Sequence, residues 1–214
     1  NEEKKPPLSF TQHSLSSRDQ HSWIVQDIIA KKSLNAIYGV SASGKTFVAL
    51  DLSAAISTGR KWLGKKTNKC PVLYLALESP DGFILRMKAY KLLNGAASLS
   101  SVHAWFNRFS FSNLSDISQL IDHINGGGFN GGIIFIDTLA RAMSGWDENS
   151  ATDMGKMIEA CGMITERTNC AIVLVAHAGK NQQAGLRGHS SLHGAVDSSI
   201  EVRSSGKERK LVFD

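Results

Sequence analysis

Short, uninterrupted apolar runs alternate along the chain with longer stretches in which apolar residues return every three or four positions. The runs are Leu34 to Tyr38, Pro71 to Leu77 (PVLYLAL), 131–137 (GGIIFID) and 170–176, at the head of CAIVLVAH. Runs this short and this apolar predict strands covered on both faces. The periodic stretches predict helices over Gly44 to Thr58, Asp81 to Leu93, Asp116 to Ile124 and 150–168. In the last of these, Met154, Met157, Ile158, Cys161 and Ile164 share one face and read as core, with Ser150 or Thr152 as the cap. HAWFNRFSF reads as a further strand, 94–101 as a loop, and SSIEVRSS and RKLVFD as a late hairpin about Gly206. Residues 21–32 read as a short helix or an irregular approach, preceded by a polar, flexible lead-in over 1–20. Apolar strands alternating with helices predict an α/β domain over 21–214, with a mainly parallel twisted sheet and helices on both faces. In such a sheet ligands bind beyond the carboxyl ends of the strands. Three of the predicted strands have polar tips there: Tyr38, Asp137 and His177.

The 214 residues, 42% hydrophobic and 20% charged, suffice for one domain with a sizeable core. No apolar run approaches the roughly 18 residues that span a membrane, and no basic-then-apolar leader opens the sequence. Three cysteines, Cys70, Cys161 and Cys170, with no C-x-x-C among them, read as reduced core residues of a cytoplasmic protein. The net charge of +5 permits a nucleic-acid partner without requiring one.

Between the first strand and its helix lies GVSASGKT, residues 39–46, which fits G-x-x-x-x-G-K-[ST] at every fixed position and in the required strand-to-helix setting. The glycines let the backbone curl so that successive N–H groups converge on phosphate oxygens. The cradle is read as Gly39, Ser41, Ala42, Ser43, Gly44, Lys45, Thr46 and Phe47. The following helix adds the partial positive charge of its N-terminus. Lys45 is placed on the β- and γ-phosphates of ATP, and the Thr46 hydroxyl on Mg²⁺. Asp137, at the tip of IIFID, is the carboxylate expected in the metal's shell. Glu78, ending LYLALE, is a candidate general base if its strand flanks that of Asp137. His177, ending VLVAH, is a candidate sensor of the γ-phosphate.

Together these pieces resemble the RecA-like ATPases, most closely the RepA-type family of plasmid and phage hexameric replicative helicases. The likeness runs from Leu34 to Val202 through GVSASGKTFVALDLSAAISTG, VLYLALESP, IIFIDTLAR, DENSATDMGKMI, VLVAHAGK and LRGHSSLHGAVDSSIEV. It implies ATP hydrolysis with Mg²⁺, Glu78 as the catalytic carboxylate, Arg187 as an arginine finger reaching a neighbouring subunit's nucleotide, and Arg86 facing the site. It also implies a hexameric ring acting on single-stranded DNA. The family's chains continue into further C-terminal strands, a departure that predicts a domain shortened at that end, and the polar lead-in without a start methionine reads as a domain cut from a longer polypeptide such as a primase–helicase fusion.

The loop 179–191, GKNQQAGLRGHSS, is polar and carries Lys180 and Arg187 but no aromatic residue, so it would hold strand phosphates electrostatically. A filament-forming or regulatory RecA relative, or a nucleotide-gated replication regulator without unwinding activity, would use the same phosphate site. A small-molecule kinase fits less well, because the arginines after Asp137 are dispersed rather than gathered into a lid. Replacing Lys45 by Ala is expected to abolish ATP turnover while the far-ultraviolet circular dichroism stays that of a folded domain; unchanged hydrolysis would refute the phosphate-loop assignment.

Overall fold

The computed structural model describes residues 22–178, 190–206 and 208–214. The main sheet contains β3 (Leu34–Gly39), β4 (Val72–Ala76), β5 (Val102–Trp105), β6 (Ile133–Asp137), β7 (Ala171–His177), β8 (Ser198–Ser205) and β9 (Glu208–Phe213), in the order β5-β4-β6-β7-β3-β8-β9. All neighbours are parallel except β8 and β9, which form the expected antiparallel hairpin. The helices are α1 (Lys45–Thr58), α2 (Pro80–Asn94), α3 (Leu114–Gly126), α4 (Leu139–Ala142), α5 (Ala151–Thr168) and α6 (Ser190–Ala195). Among the described residues no helix is long and apolar enough to cross a membrane.

Alternation along the central strands divides the interior into two cores. Ile134, Ile136, Ile172 and Leu174 face α3 and α5, where Ile117, Leu120, Met154 and Met157 pack on them. Ile133, Phe135, Val173 and Val175 face the opposite layer, built from α1, α2 and the N-terminal strands. A strand with both faces so covered has no polar position to offer, which is why these segments are apolar throughout. Each buried Ile, Leu or Val contributes about 1.5–3 kcal/mol relative to exposure. The exception is Asn35 in β3, buried and fully engaged. Its Nδ2 donates to Ser33 Oγ (2.8 Å) and the Ile172 carbonyl (3.1 Å), and its Oδ1 accepts from Ser198 Oγ (2.9 Å). It ties β3 to both neighbours.

Helix starts follow local chemistry. Ser79 caps α2 by accepting from the Gly82 N–H, with Pro80 as the first helical residue. Ser150, rather than Thr152, caps α5 by accepting from the Asp153 N–H. All three cysteines are free thiols, with Cys161 and Cys170 buried and Cys70 half-buried.

The helix or irregular approach expected over 21–32 is instead a pair of short antiparallel strands, β1 (Trp23–Val25) and β2 (Ile29–Ala30). The spacing of the buried Ile24, Val25, Ile28 and Ile29 imitates a helix. The chain reverses between them at Asp27, left-handed at φ of 60°, and turns again after β2 at Lys32, φ 58°, choices that periodicity does not record. The 94–101 loop contains a 3₁₀ turn over Ala96–Leu99, and the aromatic segment's strand starts one residue earlier, at Val102. The lead-in over 1–20 lies outside the described residues.

β8 runs so close to the start of the phosphate loop that a side chain on Gly39 has no room. A Cβ there would press into the Val202 carbonyl oxygen and sit 2.8 Å from Ser43 Oγ. Gly39→Ala is therefore expected to cost about 1–3 kcal/mol, read as a lower urea midpoint at unchanged slope; an unchanged midpoint would contradict this packing.

Candidate active site

The sheet order brings the polar strand tips together. β6, β7 and β3 are consecutive, and Gly39 pairs with His177. β4 flanks β6, with Ala76 opposite Asp137 and the Leu77 N–H bonded to the Asp137 carbonyl at 2.7 Å. That adjacency is the condition on which Glu78 qualified as a base. Thr46, Glu78, Arg86 and Asp137 line one tight pocket of about 10 Å³, room for a single water or small ion. Glu78 is solvent-exposed, as a base that must meet water can be, and Arg86 is half-buried on α2.

The phosphate loop has the geometry of an anion nest. Ala42 and Gly44 are left-handed at φ of 61° and 96°, and such turns in a loop gather N–H groups on one side. Gly44 occupies the cap position of α1, and no side chain caps that helix, so its first N–H groups are left for a ligand. α1 itself is more deeply buried than a one-sided helix: Leu50, Leu52, Ala54, Ala55 and Ile56 are all inaccessible. That fixes its N-terminus rigidly under the loop.

Lys45 is 7% exposed and folds back over its own loop, donating to the Gly39 carbonyl (3.0 Å) and the Val40 carbonyl (2.9 Å). Burial pulls its pKa down, opposed by the carboxylates of Asp137 and Glu78, so all three charges lie within electrostatic reach. Asp137 is 5% exposed. Its Oδ2 accepts from the Tyr74 hydroxyl at 2.7 Å, while Oδ1 has no hydrogen-bond partner. Burial raises its pKa, countered by the hydroxyls of Tyr74 and Thr46 and by the Arg86 charge. Burial and the same carboxylate push the Tyr74 phenol well above its ordinary value, so Tyr74 remains a donor.

Magnesium fits this donor set. A buried carboxylate oxygen with no partner beside a threonine hydroxyl is what a metal shell with few protein ligands needs. Among the described residues no cluster of three or more His, Cys, Asp or Glu could hold a metal alone, so the other ligands would be phosphate and water.

A second cleft, about 420 Å³, opens beside Gly44 and is lined by Phe47, Trp62, Arg209 and Leu211. Trp62 is held by its Nε1, which donates to Asp51 Oδ2 at 2.8 Å, and by an edge-on contact with Phe213. Asp51 is shared with Tyr90, whose hydroxyl donates to Oδ1 at 2.7 Å, and with Arg60. An apolar, aromatic cleft leading from the phosphate loop suits a nucleobase and ribose. Of this wall only Phe47 was anticipated.

The AAA domain family model matches residues 1–183. The chain belongs to the AAA domain family. No curated protein matches it. The AAA domain match carries the P-loop ATPase reading, with nucleotide binding and hydrolysis; the narrower likeness to replicative helicases rests on the sequence motifs.

Of the anticipated residues, the AAA domain's structure brings Lys45, Thr46, Glu78, Arg86 and Asp137 together. Ser41 and Ala42 lie on the exposed rim of the loop, and Ser43 is buried with an unpartnered hydroxyl. His177 is half-buried at the tip of β7, beside Gly39 and outside the Glu78 pocket. Arg187 and Lys180 lie outside the described residues. Sequence reasoning missed Phe83, which lines the pocket, and Tyr74, which lies behind it and bonds Asp137. The signal was present in LYLALE, since a tyrosine in a wholly apolar strand requires a hydroxyl partner.

Because the fold raises the Asp137 pKa, this group favours folding below the ordinary carboxylate value, and that contribution is lost as pH rises through the raised pKa. At neutral pH the ionised carboxylate therefore costs stability when no metal is bound. Asp137→Asn is expected to raise the nucleotide-free Tm at pH 7, with the gap closing as pH falls toward about 4, and to raise the Mg²⁺ concentration needed for turnover. A lower Tm at pH 7, or equal Mg²⁺ titrations, would contradict the assignment.

Proposed function

We propose that this chain is the motor domain of a ring-forming DNA helicase that hydrolyses ATP with Mg²⁺ and acts on single-stranded DNA in plasmid or phage replication. The observation that carries the hydrolytic part is the shared pocket of Thr46, Glu78 and Asp137, at the tips of adjacent strands beside the phosphate loop.

In this reading the triphosphate lies on the N–H groups of the loop and the α1 N-terminus, with the base and ribose over Phe47 and against Arg209 and Leu211. The Lys45 ammonium exchanges its two loop carbonyls for β- and γ-phosphate oxygens. Thr46 and Asp137 would hold the metal, which would supply charge neutralisation to the phosphates. Tyr74 fixes one Asp137 oxygen and so the direction in which Oδ1 points. Glu78 takes a proton from the attacking water as its oxygen bonds to the γ-phosphorus and the β–γ bridging bond breaks, leaving ADP and phosphate. Arg86, across the same pocket, offsets charge on the transferred group.

The ring and its strand are supported by the sequence motifs. Ala178, the last described residue before 179–189, donates its N–H to the Gly39 carbonyl at 2.9 Å, at the start of the phosphate loop. His177 stands at that point and can relay the state of the nucleotide to the loop. A nucleotide-gated regulator without unwinding activity remains the second reading, favoured by the same geometry if no assembly forms.

Glu78→Gln is expected to bind Mg·ATP normally and hydrolyse it about 10²- to 10⁴-fold more slowly; weak binding with normal turnover would make Glu78 a shell residue instead. Arg187 is tested by mixing. Arg187→Ala and Lys45→Ala chains, each inactive, are expected to recover hydrolysis together, since one supplies the arginine and the other the intact loop. Mixed oligomers seen by sizing with no activity above the sum of the two mutants would refute a finger acting across subunits.

A further inference from the structure

A third cleft, about 550 Å³, lies on the other side of the Glu78 strand end. Its floor is apolar, from Leu77, Pro80 and the buried Phe109, and its rim carries Phe106, Arg108 and Arg141. Both arginines are exposed, and among the described residues neither forms an ion pair. The lining acid, Asp116, is already engaged: Oδ2 accepts the Ser110 N–H at 2.9 Å and Oδ1 accepts from Asn113 Nδ2 at 2.8 Å. The walls are tied down. Ser110 Oγ and Ser112 Oγ both donate to the Ser144 carbonyl, at 2.9 and 2.8 Å, and the Trp105 indole donates to the Asn107 carbonyl at 3.1 Å. The cleft is thus preformed, with two arginines at its rim, an apolar patch among polar lining residues, and an aromatic ring 41% exposed at its edge.

The cleft also backs directly onto the reaction pocket. Along Leu77-Glu78-Ser79-Pro80 the outer two residues line the cleft and the inner two line the pocket. Phe106 meets Phe83 edge-on at 6.2 Å, Phe83 packs on Tyr74 at 4.5 Å, and Tyr74 bonds Asp137.

We propose that this cleft seats single-stranded DNA, with phosphates on Arg108 and Arg141 and a base against Phe106, and that a seated strand bears on Glu78 through the shared wall. This rests on the ATPase reading of the Glu78 pocket for its second half only. Guanidinium groups paired with an exposed aromatic over an apolar floor are the chemistry by which single strands are held without sequence preference. An acidic protein segment would use the arginines but has no need of the ring.

The test follows fluorescein-labelled oligothymidylate binding to the full chain by anisotropy across a salt series, with mant-ATP binding and ATP hydrolysis measured alongside. The Arg108→Ala/Arg141→Ala double variant is expected to lose at least about tenfold in affinity and to lower the salt slope by about 1.4, as two single-strand phosphate contacts require, with mant-ATP affinity unchanged. Phe106→Ala is expected to weaken binding at an unchanged slope. Oligothymidylate should accelerate hydrolysis by the wild-type chain and not by the double variant. Unchanged strand affinity and slope in the double variant would overturn the seat, as would a polyglutamate peptide displacing the strand as well as unlabelled oligothymidylate does. Loss of strand binding that merely follows dissociation of an oligomer, seen by sizing, would assign the cleft to a second copy of the chain instead. Strand binding without acceleration would overturn the link to Glu78. A wild-type chain that binds no mant-ATP would refute the ATPase reading, while the strand titrations still decide the cleft.

Discussion

A carboxylate buried to 5% exposure with one oxygen unpartnered is expensive, and the arrangement around Asp137 follows from holding it. The sheet places it at the tip of a central strand, where β4 and β7 shield it on both sides. Tyr74 satisfies one oxygen from the neighbouring strand, and Phe135 stacks on the Tyr74 ring at 5.5 Å so that the phenol cannot turn away. The other oxygen is left facing Thr46 and the pocket that Glu78 shares. Burying the Lys45 ammonium under its own loop is the complementary expense, eased by two carbonyls that a phosphate can replace. Both charges are held poorly for stability and well for a charged ligand, a trade common at sites where function and folding compete.

Much of this was legible because the chemistry is local. The phosphate loop is a continuous pattern, and the strand before it is an apolar run that survives into the fold, while the helix after it is buried well beyond one face. Asp137 and Glu78 were legible as acids at strand ends. Their meeting was conditional on β4 lying beside β6, a fact about strand order that hydrophobic pattern does not encode. Tyr74 signalled the need for a partner, but which partner was opaque for the same reason: Asp137 lies 63 residues away in sequence. The nucleoside cleft was hidden because Trp62, Arg209 and Leu211 come from distant segments joined only when β9 folds back on β8. Residues 21–32 were misread because buried spacing alone cannot distinguish a helix from two strands joined by a left-handed turn.

The α/β architecture places three cavities at one end of the sheet, and their order matters. The nucleoside cleft lies by β9, the metal pocket between β4 and β6, and the cationic cleft toward β5. A nucleotide bound along this line would touch the start of α1 and the end of β4, elements rigid enough to carry a displacement rather than absorb it. The wall from Leu77 to Pro80 is one such element, since its course is set by the Leu77 bond to the Asp137 carbonyl on one side and the Ser79 cap of α2 on the other. The family match accounts for the ATPase; the mechanical role is the proposal, and it draws on this placement of cavities.

The unpartnered Asp137 oxygen and the Thr46 hydroxyl are proposed to form a metal seat completed by nucleotide. Electron paramagnetic resonance of Mn²⁺, standing in for Mg²⁺, tests it directly in the full chain. Mn²⁺ is expected to bind tightly only when ADP or ATP is present, and Thr46→Ala to release it while nucleotide stays bound. Mn²⁺ held equally well without nucleotide, or unaffected by Thr46→Ala, would contradict it.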